Sequence, residues 1–295
     1  MTQEAFSLQN FFKFNLMTNQ MVIDNENGLN LSPEIIYFTK NKPMIRMIGM
    51  IATLLFLHIH VNSNAQNADN RYFEMRTYTC NPEKRPDLIK RFQDHTLKLL
   101  KKHDIDNVAY FLPTKEDSYS LTFIIAYPSQ EMRDKLWNEF GSDPKWKKAA
   151  AKSEENGKLV AKVDQTFMTM VPELSTAISP NKIALNQVFE LRTYTCLPNR
   201  HPAIKARFRD HTRALFEKHG MKNVVYWETV EKEGAQPKLI YLLSHSSEAA
   251  AKASFDAFRI DPEWIKASTN SELDGKIVQK VESVFLKPLP FSPLK

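Results

Sequence analysis

The chain has 295 residues, of which 42% are hydrophobic and 25% charged, with a net charge of +6. This is the composition of an ordinary globular protein with about two domains. Lys and Arg are interleaved with Asp and Glu rather than gathered in blocks, which argues against a nucleic-acid partner, and the seven glycines are too scattered for a Gly-x-Gly-x-x-Gly turn, a phosphate loop or a Gly-x-Ser-x-Gly elbow.

Near the start, the basic residues Lys40, Lys42 and Arg46 precede a short apolar run that ends at His58, followed by the small residues Asn62-Ser-Asn-Ala65. This pattern predicts a secretory signal peptide over 44–65 and a secreted or periplasmic protein. An uncleaved anchor is the rival reading, but the run is shorter than the ~20 residues a spanning helix needs; a buried helix is the third. No stable membrane insertion is expected after cleavage. Residues 1–43 read as a misassigned or unfolded leader, with Met44 or Met47 as initiator. N-terminal sequencing of the natural protein tests this, and a start near Met1 would refute it. Lys13, Lys40, Lys42 and Arg46 balance Glu4, Asp24, Glu26 and Glu34, so the net charge belongs to the rest of the chain.

From residue 72 the periodicities alternate. Residues 72–79 have the two-residue period of a strand, and 86–102 place Ile89, Phe92, His95, Thr96, Leu99 and His103 at helical spacing, with Pro86 in the first turn. Strands are predicted at 108–112 and 121–126 around a polar hairpin at 114–119. Ser129 should cap a helix running to Phe140, Asp143-Pro144 should start another, and 160–170 reads as a closing strand.

The same order then recurs. Tyr72-Phe-Glu-Met-Arg-Thr-Tyr-Thr-Cys80 returns as Val188-Phe-Glu-Leu-Arg-Thr-Tyr-Thr-Cys196, Arg91-Phe-x-Asp-His-Thr96 as Arg207-Phe-x-Asp-His-Thr212, and, past a two-residue insertion near Gly234, Asp143-Pro-Lys-Trp146 as Asp261-Pro-Glu-Trp264. The chain thus holds two copies of one unit, domains at 72–172 and 187–293 joined by a linker over 173–186. Two copies are too few for a solenoid and suit an internal pseudo-dimer. The order β-α-β-β-α-β predicts an α+β fold in which two ferredoxin-like units pack their sheets into one pseudo-dimeric α+β barrel with helices outside. Homo-oligomers remain compatible with this reading.

Phe189-Glu-Leu-Arg-Thr-Tyr194, Lys218-His-Gly220, Asp261-Pro-Glu-Trp264 and the closing Val284-Phe-Leu-Lys-Pro-Leu-Pro-Phe-Ser-Pro293 together resemble the NIPSNAP family, a branch of the dimeric α+β barrels, and the resemblance runs through both copies. The first copy departs from it at Asp104, opposite Gly220, and at Val171-Pro-Glu-Leu174, which lacks the Phe-Ser-Pro tail. The family implies no defined activity for an exported chain, and related barrels that are monooxygenases, haem-degrading enzymes or isomerases are analogies of fold alone.

The site residues follow from the first strand of each copy. Its apolar face is expected to meet the helices, turning Glu74, Arg76 and Tyr78, with Glu190, Arg192 and Tyr194, into the space between the sheets. Glu74–Arg76 and Glu190–Arg192 are then either structural ion pairs or the floor of a pocket in which Arg binds a small anionic ligand and Tyr donates a hydrogen bond. His95 and His211 are expected on the sheet-facing stripe of the first helix, as satisfied core residues or as proton shuttles, and His219 as a complement to the helix C-terminus. Trp137, Phe140 and Trp146 read as core or as the wall of an apolar pocket. No metal-ligand spacing is present, and neither metal nor cofactor is expected. Cys80 and Cys196 are expected as free thiols rather than a disulfide. Two functions follow: a small-ligand-binding or interaction module, or a cofactor-independent enzyme, monooxygenase- or isomerase-like. In the second, Arg76 or Arg192 would clamp an anion, Tyr78 or Tyr194 donate, and His95 or His211 act as acid or base.

Overall fold

The computed structural model describes residues 69–115, 118–175, 178 and 187–295. The expected leader and signal peptide (1–43, 44–65), and all of the linker but 173–175 and 178, lie outside the described residues.

The elements of the first copy are β1 (Tyr72–Cys80), α1 (Arg85–Arg91), α2 (Leu97–Lys102), β2 (Asp106–Pro113), β3 (Ser120–Tyr127), α3 (Gln130–Ser142), α4 (Pro144–Ser153) and β4 (Val160–Met170). The second repeats them as β5 (Val188–Cys196), α5 (His201–Arg207), α6 (Arg213–Lys218), β6 (Lys222–Thr229), β7 (Leu239–His245), α7 (Glu248–Ile260), α8 (Pro262–Ser271) and β8 (Val278–Pro288). The eight strands close into one antiparallel barrel in the order β1-β3-β2-β8-β5-β7-β6-β4. Each copy therefore supplies four adjacent strands, and closure removes the exposed edges that an open sheet would leave. Among the described residues no helix is long and apolar enough to cross a membrane.

Alternation along β1 was expected to point its apolar face at the helices, and the structure reverses this. Phe73 packs on Trp227 with ring centroids 5.8 Å apart, and Phe111 on Phe189 at 5.2 Å, so these rings join residues of both copies inside the barrel. Glu74, Arg76 and Tyr78 lie instead beneath the helices of their own copy, and Glu190, Arg192 and Tyr194 likewise. Both faces of the sheet are covered, so alternation separates two sets of residues without saying which is inside. Hydrogen bonding decides: the barrel interior holds apolar side chains, whereas the helix layer brings polar partners to a buried carboxylate.

Between α1 and α2 the chain makes a π-helical turn over Phe92–Thr96, and between α5 and α6 another over Phe208–Thr212. The repeated Arg-Phe-x-Asp-His-Thr segment builds it. The Leu97 amide reaches back to the Phe92 carbonyl, and the Thr96 hydroxyl donates to the Arg91 carbonyl at 3.1 Å; Thr212 does the same to Arg207. The wider turn takes four or five residues to come round, so Leu88, Phe92 and Thr96 face the sheet while His95 and His211 are exposed.

Helices α3 and α7 end where Asp143 and Asp261 cap α4 and α8, accepting from the amides of Lys145 (2.7 Å) and Glu263 (2.8 Å). Ser247 caps α7 through the Ala250 amide, whereas Ser129 occupies the matching position without a capping bond. Gly220 (φ 80°) and Asp104 (φ 54°) both take the left-handed conformation that ends the preceding helix. Both cysteines are free and buried. Burial pushes the Cys80 thiol above its ordinary pKa and that of Cys196 to about 11, so both are protonated at neutral pH.

Candidate functional site

In the first copy Glu74 is fully buried and surrounded by donors. Arg76, two residues along the strand face, pairs with one carboxylate oxygen through Nη1. Arg133 on α3 holds the carboxylate from above, with Nε and Nη2 at 3.0 and 2.9 Å from Oε2. The Tyr127 hydroxyl donates to the same oxygen at 2.9 Å. Burial and the neighbouring Glu74 raise the Tyr127 pKa, so it keeps the proton it donates. Both guanidinium groups stack on Trp137, at 4.5 Å for Arg76 and 5.4 Å for Arg133. This half of the molecule has the closed, paired arrangement, with two cations and a phenol on one carboxylate.

The second copy keeps the acid and one arginine and changes the rest. Glu190 is bonded to Arg192 Nη1 (2.5 Å), to the Ser283 hydroxyl (2.5 Å) and to His245 Nε2 (3.1 Å). His245 stands where the first copy has Tyr127, Ser283 where it has Gln165, and Ala251 where it has Arg133. Burial works to raise the Glu190 pKa, but the His245 bond, the Arg192 charge and the Ser283 and Arg192 bonds outweigh it and hold it below the usual carboxylate range. Arg192 gives Nε to the Tyr241 hydroxyl at 3.0 Å and lies over Phe255 and Tyr194, at 4.5 and 5.8 Å. An open groove of about 480 Å³ lies over Glu190 and Arg192, bordered by Glu248, Lys252, Phe255, Arg259 and Phe285.

The structure thus joins Glu190, Arg192 and Tyr194, and Glu74, Arg76 and Tyr78, on one face, and it separates the predicted histidines from both groups. His95 and His211 sit on the outer surface, against expectation, because the π turn rotates them off the buried stripe. His103 and His219 bind the capping aspartates instead, at 2.9 Å from Asp143 and 2.7 Å from Asp261. Tyr127, Arg133, His245 and Ser283 escaped the sequence reading. Their signal lay in aligning the copies against each other, where Tyr127 against His245 and Arg133 against Ala251 are conspicuous exchanges beside the constant Glu-x-Arg. Among the described residues no group of three or more His, Cys, Asp or Glu is placed to hold a metal ion.

Among curated protein sequences none matches the chain significantly. Of solved structures, a candidate monooxygenase from Fusobacterium nucleatum covers 75% of this chain and 93% of its own at 8% identity and a TM-score of 0.50, a likeness of fold alone. A NIPSNAP family protein of unknown function from Agrobacterium tumefaciens is 21% identical over 34% of this chain and 87% of its own, with a TM-score of 0.31. A NIPSNAP domain protein from Burkholderia xenovorans is also 21% identical, over 37% of this chain and 99% of its own, with a TM-score of 0.30. The model of the NIPSNAP family matches residues 73–174 and again 189–293, so the chain belongs to the NIPSNAP family and carries two tandem copies of its domain.

Proposed function

We propose that the protein binds a small anionic organic ligand in the groove of its second copy, with Arg192 as the anchor, and that the first copy is the structural half. The supporting observation is the exchange of Arg133 for Ala251. In the first copy the guanidinium of Arg133 bonds the Glu74 carboxylate, whereas in the second the matching residue is Ala251 and a groove borders both Glu190 and Arg192. A carboxylate or phosphate there would gain a charge-assisted hydrogen bond, with Phe255 and Phe285 as apolar walls. This reading treats the molecule as an intramolecular pseudo-dimer of ferredoxin-like units, which the matching strand orders β4-β1-β3-β2 and β8-β5-β7-β6 support. Export also belongs to the proposal and rests on the 44–65 segment.

The test is calorimetric titration and thermal shift with a panel of short-chain mono- and dicarboxylates and phosphate monoesters. At least one member is expected to raise the melting temperature of the wild type and to lose that effect in both Arg192→Ala and Ala251→Arg, the second restoring the plug of the first copy. A panel without any such member, or a shift that survives both variants, would sink the proposal. One observation favours a second reading, a cofactor-independent enzyme of monooxygenase or isomerase type: His245 on Glu190 makes a buried acid–imidazole pair beside the groove, able to move a proton. Consumption of the bound ligand that disappears in His245→Gln, with binding retained, would select it over simple binding.

A further inference from the structure

The two places where the copies join are built alike and filled differently. β2 pairs with β8, and β4 with β6, over three residue pairs each, and the segment leaving β8 or β4 then bonds to the other copy through the amide of Leu289 or Val171. At the β2–β8 join the neighbouring side chains are Ile89 on α1, Leu112 on β2 and Phe291 beyond β8. All three pack on the core of the first copy, with Phe291 5.5 Å from the ring of Tyr110. At the β4–β6 join the matching residues are Lys205 on α5, Glu228 on β6 and Glu173 beyond β4. Three apolar residues have become an amine and two carboxylates.

These three form a chain between the copies, with Lys205 Nζ 3.1 Å from Glu228 Oε2 and 3.6 Å from Glu173 Oε1. Beside them stands His201, the first residue of α5, where the first copy has Arg85. Arg85 donates to the Ser118 carbonyl. His201 is only 5% exposed, and its Nε2 has no hydrogen-bond partner among the described residues. Glu228 Oε2 lies 3.9 Å away, too far for a hydrogen bond. Glu228 on β6, Lys205 on α5 itself and Glu173 beyond β4 are the charged groups that face the ring. With the imidazole neutral, the cluster holds two negative charges against one positive. An ionic cluster in place of an apolar one is a poor way to strengthen a join, and an orphaned buried ring nitrogen weakens it further. The exchange at four positions therefore points to a task other than cohesion.

We propose that the β4–β6 join is an acid-sensitive latch, closed while His201 is neutral and loosened when His201 takes up a proton. A neutral imidazole tolerates this burial, whereas an imidazolium demands a partner and water. It draws Glu228 away from Lys205, and the chain from Glu173 through Lys205 to Glu228 is broken. Burial holds the His201 pKa below its ordinary value of 6.5, against the pull of Glu228 and Glu173 and with the help of Lys205. Because the closed form has the lowered value, the open form binds the proton more readily. The latch is thus fully closed above the ordinary histidine value and weakens as the pH falls below it. This device is independent of the Arg192 groove and stands or falls without it.

Amide hydrogen exchange, followed by nuclear magnetic resonance on the full 295-residue chain, tests it. Protection is compared at about pH 7.5 and about pH 5.5, both above the range in which carboxylates ordinarily titrate, after correction for intrinsic rates. Val171 and Tyr226 report on the latch, since the Val171 amide donates to the Tyr226 carbonyl and the Tyr226 amide to Ser175 Oγ. Leu289 and Tyr110 make the matching bonds at the β2–β8 join and serve as the internal control. Protection at Val171 and Tyr226 is expected to fall about three- to tenfold more than at the control pair, tenfold being the limit for one imidazole of ordinary pKa in the open form. His201→Gln, neutral throughout, is expected to abolish that difference. Should this variant fail to fold, the ring signals of His201 in the wild type decide: a titration midpoint below about 6.5 is expected, and one at or above it overturns the proposal. Equal pH dependence at the two joins of the wild type, or a difference that persists in folded His201→Gln, overturns it as well.

Discussion

Arg133 is one residue on which the two halves divide. A carboxylate buried as completely as Glu74 needs its charge compensated and its lone pairs occupied, and here Arg76, Arg133 and Tyr127 share the task. Arg133→Ala should therefore cost about 1–3 kcal/mol, less than the loss of a lone partner, because Arg76 and Tyr127 stay in place. Chemical denaturation measures it as a lower midpoint at constant slope. The variant should also open over Glu74 a groove like the one above Glu190, so ligands that bind the second copy become able to bind twice. A neutral effect on stability would mean that water solvates Glu74 as well as Arg133 does, and that the first copy is no more closed than the second. The Glu-x-Arg pairs were legible in the sequence as candidates, because two ionisable residues on one face of a covered strand must find each other. Which pair is plugged was not legible, since that depends on α3 crossing above β1.

At the scale of elements, the alternation of two-residue and helical periods gives nearly every strand and helix within a few residues. The π turns were hidden because their side-chain pattern still resembles an ordinary helix, and that error carried His95 and His211 into the wrong environment. The direction of β1 in the barrel was hidden for a different reason, that both sheet faces are buried. The breaks between α3 and α4, and between α7 and α8, were readable from Asp-Pro, and their chemistry yields a pH prediction. Lys102, His103 and the Lys145 amide hold the Asp143 carboxyl well below its ordinary pKa, and Lys218, His219 and the Glu263 amide do so for Asp261. Because the folded values are depressed, the unfolded chain takes up protons first as the pH falls below about 4. The stabilisation from these caps is thus complete at neutral pH and lost through the acid range. Asp143→Asn and Asp261→Asn should each lower stability at pH 7 and flatten its decline between about pH 4 and 2. Parallel acid-unfolding curves for wild type and variants would refute the assignment.

The whole molecule depends on two seams where the copies meet. Within a copy β1 and β4 pair over nine residues, whereas β2 meets β8, and β4 meets β6, over three residue pairs each. The short seams are reinforced by the segments that follow the closing strands. After β8 the Leu289 amide donates to the Tyr110 carbonyl, the Ser292 hydroxyl accepts from the Tyr110 amide at 2.9 Å and donates to the Leu294 carbonyl at 2.6 Å, and Leu294 enters the barrel core. After β4, Val171 donates to Tyr226 and Ser175 accepts from the Tyr226 amide at 2.7 Å. Each copy thus ends by gripping the other. Sequence comparison had marked the first copy as lacking this tail, but Ser175, one place further along than the serine of Phe-Ser-Pro, does the same work. Replacing either serine by alanine leaves a buried tyrosine amide without an acceptor, at a cost of about 1–3 kcal/mol. The two seams share no residues, so the costs of Ser175→Ala and Ser292→Ala should add. If the tails hold one barrel together, urea unfolding of the double variant remains a single transition, with the midpoint moved down by the sum. A curve that separates into two steps would mean that each copy folds alone and that the seams join two finished domains rather than completing one.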